Sequence, residues 1–309
     1  MMGLFGSKTF KPSTDIPDQS GKVFLVTGGN TGLGYEAIKQ IASHSPQHIY
    51  LASRTPSKGQ AAVAKLQEAC PGANITFLPL DLASFESVAA AAHEFTAKES
   101  RLDCLLNNAG IMATPPGKTE EGYEVQFGTN HMGHALLTRL LMPTLQATTK
   151  LPGADVRIVN LTSEGHNFAR TAPVLLDQAQ LERSNAWTKY GYSKLANILF
   201  ARELAIKYPN ITSVAVHPGV IKTDLYLPNQ KSNFIMRAGM AIGGSFMGTI
   251  ETGALNSLWA ATGKKGEIQS GAYYTPIGNR SQGSPCARNA DLAAKLWEWT
   301  EKELVAKGY

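Results

Sequence analysis

The sequence predicts one α/β domain built on a doubly wound parallel sheet of about seven strands. Two observations predict it. Short apolar, β-branched runs alternate with stretches of helical periodicity from about residue 21 onward, the pattern of a parallel sheet covered by helices on both faces. The first such run, residues 22–27, passes at once into Gly28-Gly29-Asn30-Thr31-Gly32-Leu33-Gly34 and then into a helical pattern over residues 35–43. Strand, glycine loop and helix in this order are the local signature of a Rossmann-type fold. The loop lets backbone N–H groups approach a pyrophosphate, and the helix N-terminus adds its dipole. No repeat, low-complexity tract or linker divides the chain, so residues 21–309 read as a single domain and residues 1–20 as an N-terminal extension.

The remaining elements follow in order. Residues 48–53 form the second strand. In dinucleotide-binding folds an acidic residue about 20 positions beyond the glycines holds the ribose 2′-hydroxyl. Here the strand ends in Ser53-Arg54-Thr55, with no carboxylate. The planar fork of an arginine suits a phosphate, so the sequence favours NADP(H) over NAD(H); the plainer alternative is a solvated strand-end charge. Residues 61–70 are helical, and residues 75–80 form a third strand ending at Asp81. Ser84 caps a helix running to Lys98. Residues 102–106 form a fourth strand, ending in Asn107-Asn108-Ala109-Gly110. A long helix within residues 122–145 carries Asn130, His131 and His134. Residues 156–161 are a fifth strand, followed by Thr162-Ser163. Residues 211–216 are a sixth, ending in His217-Pro218-Gly219, and residues 271–275 supply a seventh. Right-handed crossovers place the C-terminal end of every parallel strand on one rim. The glycine loop, Asp81, Asn107, Ser163 and Pro218 all fall there.

Between the fifth and sixth strands, residues 190–208 read as a helix. Leu195, Ile198, Leu199, Ala201, Leu204 and Ala205 repeat at helical spacing with no internal proline. Tyr190 and Lys194 are four apart, so they share one helical face. An ammonium held near a phenol favours the phenolate, which lets a tyrosine exchange a proton near neutral pH. Tyrosine and lysine also fall four apart as plain solvated pairs. The convergence of the other motifs on one rim gives this pair its meaning.

Composition excludes several classes. The net charge of +5 is spread along the chain, without the basic block of a nucleic-acid groove. Cys70, Cys104 and Cys286 are far apart, which fits neither a zinc site nor a disulfide framework and suits a reducing compartment. No metal site is expected, since His131, His134, His166 and His217 lack ligand spacing and read as structural. No apolar run approaches the roughly 20 residues of a transmembrane helix. The N-terminus lacks a signal-peptide pattern, and Met2 rather than a glycine follows the initiator, so no myristoylation pattern is met. A cytoplasmic protein is expected.

The ordered set of motifs resembles the short-chain dehydrogenase/reductase family. The motifs are Thr27 with the glycine loop, Asp81, Asn107-Asn108-Ala109-Gly110, Asn130, Ser163, Tyr190-x-x-x-Lys194 and Pro218-Gly219. The resemblance covers nearly the whole chain. It implies that Tyr190 is the general acid in reduction. Lys194 would bind the nicotinamide ribose, Ser163 the substrate oxygen, and Asn130 a water linking Lys194 to solvent. It also implies that Gly28, Gly32 and Gly34 cradle the cofactor phosphates, with Asp81 and Asn108 near the adenine and Thr223 at the nicotinamide amide. Cofactor contacts would extend to Asn30, Thr31, Leu33, Ser53, Arg54, Leu82, Ala109, Gly110, Pro218, Gly219 and Val220. Within the family, Arg54 with Lys58-Gly59, Asn197, Ser284-Pro285 and Leu296-Trp297 are similar to the retinol-dehydrogenase-like group. Ser163 and Tyr190 are 27 positions apart, about twice the family's usual gap. The inserted stretch leaves open whether Thr162 or Ser163 faces the substrate. Tyr192 reads as a wall residue.

The segment 221–250 carries Leu225, Tyr226, Leu227, Phe234, Met236, Met240 and Met247, interrupted by glycines. A mobile apolar cover over the nicotinamide would suit a bulky lipophilic ketone or aldehyde, or the matching alcohol. The same residues could instead pack against the domain or a partner subunit, which leaves a homodimer open. Two other functions compete: a non-catalytic NADP-binding sensor or scaffold on the same fold, and a methyltransferase, which also uses a glycine loop after its first strand.

Overall fold

The computed structural model describes residues 9–221 and 248–309. Thr223 and most of the expected cover, residues 222–247, lie outside the described residues. A one-turn helix, α1 (Pro12–Asp15), opens the described chain, with Phe10 and Ile16 on either side of it buried in a core. β1 (Val23–Thr27) is buried along its length, and its side chains divide between two cores. Val23 and Leu25 enter one; Phe24 and Val26 enter the other. A strand covered on both faces must be apolar at every position, which is why this run has no polar alternation.

The first half continues with α2 (Gly32–Ala42), β2 (His48–Ser53), α3 (Pro56–Ala69), β3 (Ile75–Pro79), α4 (Phe85–Lys98) and β4 (Cys104–Asn107). Two helices begin earlier than the periodicity suggests. α2 starts inside the glycine loop, and α3 starts at Pro56, where a proline's fixed φ suits the first helical position. Ser84 caps α4 as expected, its hydroxyl accepting from Ser87 N–H.

The expected plain helix over residues 122–145 is a composite. α5 (Val125–Phe127) runs through a π-helical turn, Gly128–Met132, into α6 (Gly133–Thr148). Gly133 N–H reaches back five residues to Gly128 O, so the bonding register shifts where Asn130 sits. β5 (Arg157–Leu161) follows. The inserted stretch folds into two 3-10 turns, Glu164–Phe168 and Ala172–Leu176, and α7 (Gln178–Arg183). α8 (Ala186–Lys207) begins four residues before Tyr190, capped by Asn185, whose side chain accepts from Thr188 N–H at 3.0 Å. Every residue of α8 from Lys189 to Ala201 is buried, so this helix runs through the interior.

The chain closes with β6 (Thr212–Val216), α9 (Ile250–Thr262), β7 (Tyr273–Thr275), β8 (Asn279–Ser281), α10 (Pro285–Arg288) and α11 (Ala290–Ala306). The strands form one sheet in the order β3-β2-β1-β4-β5-β6-β7-β8. β1 to β7 are parallel; β8 returns antiparallel to β7. About seven parallel strands were expected, and the added β8 is three polar residues with no apolar run to reveal it. α11 covers α8, with Trp297 stacked on Phe200 at 5.5 Å. Its polar residues reach further: Glu303 accepts from Tyr123 Oη at 2.9 Å, and Glu301 pairs with Arg139. No helix among the described residues is long and apolar enough to cross a membrane.

Candidate active site

The sheet grows from β1 outward to β3 on one side and from β4 on the other. Ligands of open α/β sheets bind at the crevice this reversal opens at the strands' carboxyl ends. A cleft of about 380 Å³ lies there. Its first wall is the glycine loop, where Gly28, Asn30, Thr31, Gly32 and Leu33 line the opening. Gly28 has φ +66°, a left-handed turn that lifts the chain out of β1. Gly34 lies beneath the loop and does not line the cleft. A Cβ there would meet Gly28 O and Asn108 Nδ2 at 2.5 Å each, so its role is close packing.

Thr27 staples this loop to the next. Its hydroxyl accepts from Asn108 N–H at 3.0 Å and Ala109 N–H at 2.9 Å, and Asn108 Nδ2 donates to Thr27 O at 2.8 Å. The wall continues through Asn108, Ala109 and Gly110. At the far end stand Ser53, Arg54 and Lys58, with Asp81 and Leu82 opposite from the end of β3. Arg54 and Lys58 are exposed, and neither joins an ion pair among the described residues. Ser53 is buried, and its Oγ has no partner among the described residues.

The other end of the cleft holds Ser163, Tyr190 and Lys194. Lys194 is buried, donates from Nζ to Leu161 O at 3.1 Å, and has Nζ 5.7 Å from the Tyr190 ring centroid. Burial pushes its ammonium pKa down to about 8. The Thr162 hydroxyl is committed, donating to Lys194 O at 2.7 Å in the interior. The half-buried Ser163 hydroxyl accepts from Gly165 N–H at 3.0 Å, which leaves its own proton for another partner. A Cβ on Gly165 would lie 2.8 Å from Tyr190 Cε1 and 3.3 Å from Ser163 Oγ, so these groups meet at one point.

Asn130 is brought close but lies behind the cleft, not in it. Its Oδ1 accepts from Ile111 N–H at 2.8 Å, and its Nδ2 donates to Ile111 O and Ser193 Oγ at 2.9 Å each. The side chain is therefore a brace between the β4 loop and α8. Pro218 and Gly219 line the cleft, whereas Val220 does not and is 57% exposed. Thr223 lies outside the described residues.

Several cleft residues carry no motif. Thr55, Ile111, Met112, Thr129 and Ile221 line it, as does His217, whose Nδ1 has no partner among the described residues. His166 proves to hold Ser163. Its Nε2 accepts from Ser284 N–H at 3.0 Å, so Nδ1 carries the proton and donates to Ser163 O at 2.8 Å. The ring thereby docks the C-terminal Ser284 turn onto the site. Tyr192 is a wall residue of a different space. Its hydroxyl bonds Thr171, and it lines a second cavity of about 700 Å³ beside Phe168 and Trp187 in the inserted stretch. Among the described residues no cluster of His, Cys, Asp or Glu could hold a metal ion.

A Rossmann-type sheet with a glycine-loop cleft and a buried Tyr–Lys pair at its end defines a nicotinamide-dinucleotide oxidoreductase. Comparison with known proteins narrows the class. Residues 22–233 match the short chain dehydrogenase family model. The chain is 37% identical over 302 residues to the short-chain dehydrogenase/reductase drtF of Aspergillus calidoustus, covering 94% of this chain and 95% of that one. It is 36% identical to human retinol dehydrogenase 12 over 296 residues, 95% and 89% of the two chains. A crystal structure of an uncharacterized protein from Mycobacterium paratuberculosis superposes with a TM-score of 0.72 at 27% identity, over 96% and 97% of the chains. The chain belongs to the short-chain dehydrogenase/reductase family, and it is an NAD(P)-dependent oxidoreductase of small-molecule alcohols or carbonyls.

Proposed function

We propose that the enzyme uses NADP(H) to reduce a bulky apolar ketone or aldehyde, or to oxidise the matching alcohol, with Tyr190 as general acid/base. The observation that carries this is a single cleft with Arg54 and Lys58 at one end and Ser163, Tyr190 and Lys194 at the other. The residues fit a dinucleotide with a 2′-phosphate. Two cations without ion-pair partners among the described residues, together with the Ser53 hydroxyl, line the cleft beyond β2 and support a 2′-phosphate there. NADPH, when bound, supplies the hydride. The protein's own groups supply position and a proton. The Ser163 hydroxyl donates to the substrate oxygen. Tyr190 donates its phenolic proton to that oxygen as negative charge develops. Lys194 keeps two ammonium N–H groups beyond its bond to Leu161 O, one for the ribose and one toward the phenol. Asn130 holds Ile111 and Ser193 in register behind them.

Met112, Leu161 and Ile221 give the catalytic end an apolar lining, which supports a lipophilic substrate. The name of the retinol dehydrogenase relative supports the same class. The three free cysteines support a reducing, cytoplasmic setting. The test is nicotinamide absorbance during turnover of carbonyls of rising apolar area, with NADPH or NADH. NADPH should be preferred and rates should rise with apolar area. Tyr190→Phe should lose about 100-fold or more in kcat while keeping its NADPH affinity. A preference for NADH, or a best substrate that is small and charged, would sink the reading. NADPH binding without turnover on any carbonyl would favour a non-catalytic sensor.

A further inference from the structure

One buried polar group outside the expected machinery touches both the cofactor loops and the π turn: His134, on the first turn of α6 and 2% exposed. Its Nε2 lies 2.8 Å from Thr27 Oγ1, and its Nδ1 lies 3.0 Å from Asn130 O. The protonation pattern follows from the partners. A carbonyl only accepts, so Nδ1 must carry a proton. The Thr27 oxygen already accepts from Asn108 and Ala109 N–H, which fills its lone pairs. Its own proton must therefore point at Nε2, because the other acceptor in reach, Leu106 O, is 3.5 Å away. His134 is the neutral Nδ1–H tautomer. Burial and the nearby Lys194 ammonium, which push its pKa down to about 4, agree with that state.

The ring also has a place in the backbone. The π turn at Gly128–Met132 shifts N–H groups back by one carbonyl. The ring of His134 donates to the Asn130 carbonyl within that turn. Asn130 Nδ2 then donates to Ser193 Oγ at 2.9 Å, and the Ser193 hydroxyl donates to Tyr190 O at 2.8 Å. Two hydrogen-bonded segments, joined through the covalent frame of Asn130, run from the end of β1, where the cofactor loops are stapled, to the backbone of Tyr190.

We propose that His134 is a positioning residue that couples the cofactor loops at Thr27 to the catalytic turn at Asn130 and Tyr190. The role rests on the NADP(H) carbonyl-reductase reading above. It predicts that breaking the chain at its far end is felt at the proton donor. The ionisable groups facing the ring are Lys194 on α8 and His131 on its own turn.

The test compares wild type, His134→Leu, His134→Gln, Thr27→Val and the Thr27/His134 double variant. His134→Leu should lower kcat by about tenfold or more and displace the pH profile of kcat by about half a unit. Glutamine offers one acceptor and one donor and should restore both. Thr27→Val should displace the profile in the same direction. The double variant should move it no further than His134→Leu alone, since both break one chain. Profiles that superimpose on wild type while only the melting temperature falls would overturn the proposal. So would displacements that add. ¹⁵N-histidine spectra of the resting protein decide the tautomer without turnover. A neutral Nδ1–H ring at pH 7 supports the proposal, and an Nε2–H or cationic ring overturns it. If no carbonyl is turned over, the functional reading fails while the spectra still judge His134.

Discussion

The burial of Lys194 is expected to weigh against the stability of the fold. Its ammonium is buried with one hydrogen bond among the described residues, to Leu161 O, and three N–H groups to satisfy. Its pKa falls from 10.5 in the unfolded chain to about 8 in the fold. A depressed lysine pKa means that the unfolded chain holds the proton more tightly. The destabilisation is therefore full below about pH 8 and is relieved only as pH rises from there toward 10.5. Lys194→Met should raise the melting temperature at pH 7 by about 2 °C or more and abolish turnover; a lower melting temperature would show that the ammonium is better satisfied than its contacts indicate. Arg54 makes the opposite case, an exposed cation with little structural work to do. Arg54→Ala should leave stability unchanged and weaken NADPH by about ten- to a hundredfold. NADH affinity should hardly change, which titration of cofactor fluorescence can decide.

Among the elements, α8 and α11 act as a pair. α8 carries Tyr190 and Lys194, and α11 covers it through Leu296 and Trp297. α11 also reaches the π turn, where Thr300 Oγ1 lies 3.1 Å from His131 Nε2. Leu296→Ala should cost about 2–5 kcal/mol in a urea unfolding experiment. Turnover per folded molecule should persist, because the site's own bonds do not pass through Leu296. The inserted stretch is anchored the same way: Leu175 and Leu181 are fully buried, and Gly191 lets Phe168 and Ala169 lie against α8. The long gap between Ser163 and Tyr190 therefore leaves both residues lining one cleft and builds a second cavity alongside.

For the whole molecule, acid is the expected weakness. Burial holds His131 at about 3, and His134 and His217 at about 4, against 6.5 in the unfolded chain. Between pH 6.5 and about 4 the unfolded chain takes up protons that the folded chain refuses. Stability should fall steadily across that window and show no slope from these groups above it. His166 is lowered by burial as well, and Glu124, raised by burial, works in the opposite sense, one group against four histidines. Melting temperatures from pH 7.5 down to 4.5 provide the check. A flat curve would mean that these rings find compensation on protonation.

Sequence alone determined the sheet, its rim and the placing of Tyr190 and Lys194 on one helical face, because each is written locally. Unbroken apolar runs mark strands buried on both faces. Glycines mark the loop after β1, and a spacing of four puts Tyr190 and Lys194 on one face of α8. β8 escaped because Asn279, Arg280 and Ser281 have no apolar pattern. The start of α8 escaped because a single Asn185 cap is a weak mark. The different surroundings of Thr162 and Ser163 belonged to the tertiary structure, since adjacent hydroxyls look alike until one is seen bonded to Lys194 O. The bracing of the site belonged to it as well. Thr27 meets His134 across 107 positions, His166 meets Ser284 across 118, and His131 meets Thr300 across 169. Periodicity reports which face a residue occupies. Which distant donor completes its hydrogen bonds is decided only when separate elements pack, and that is where the histidines acquired their roles.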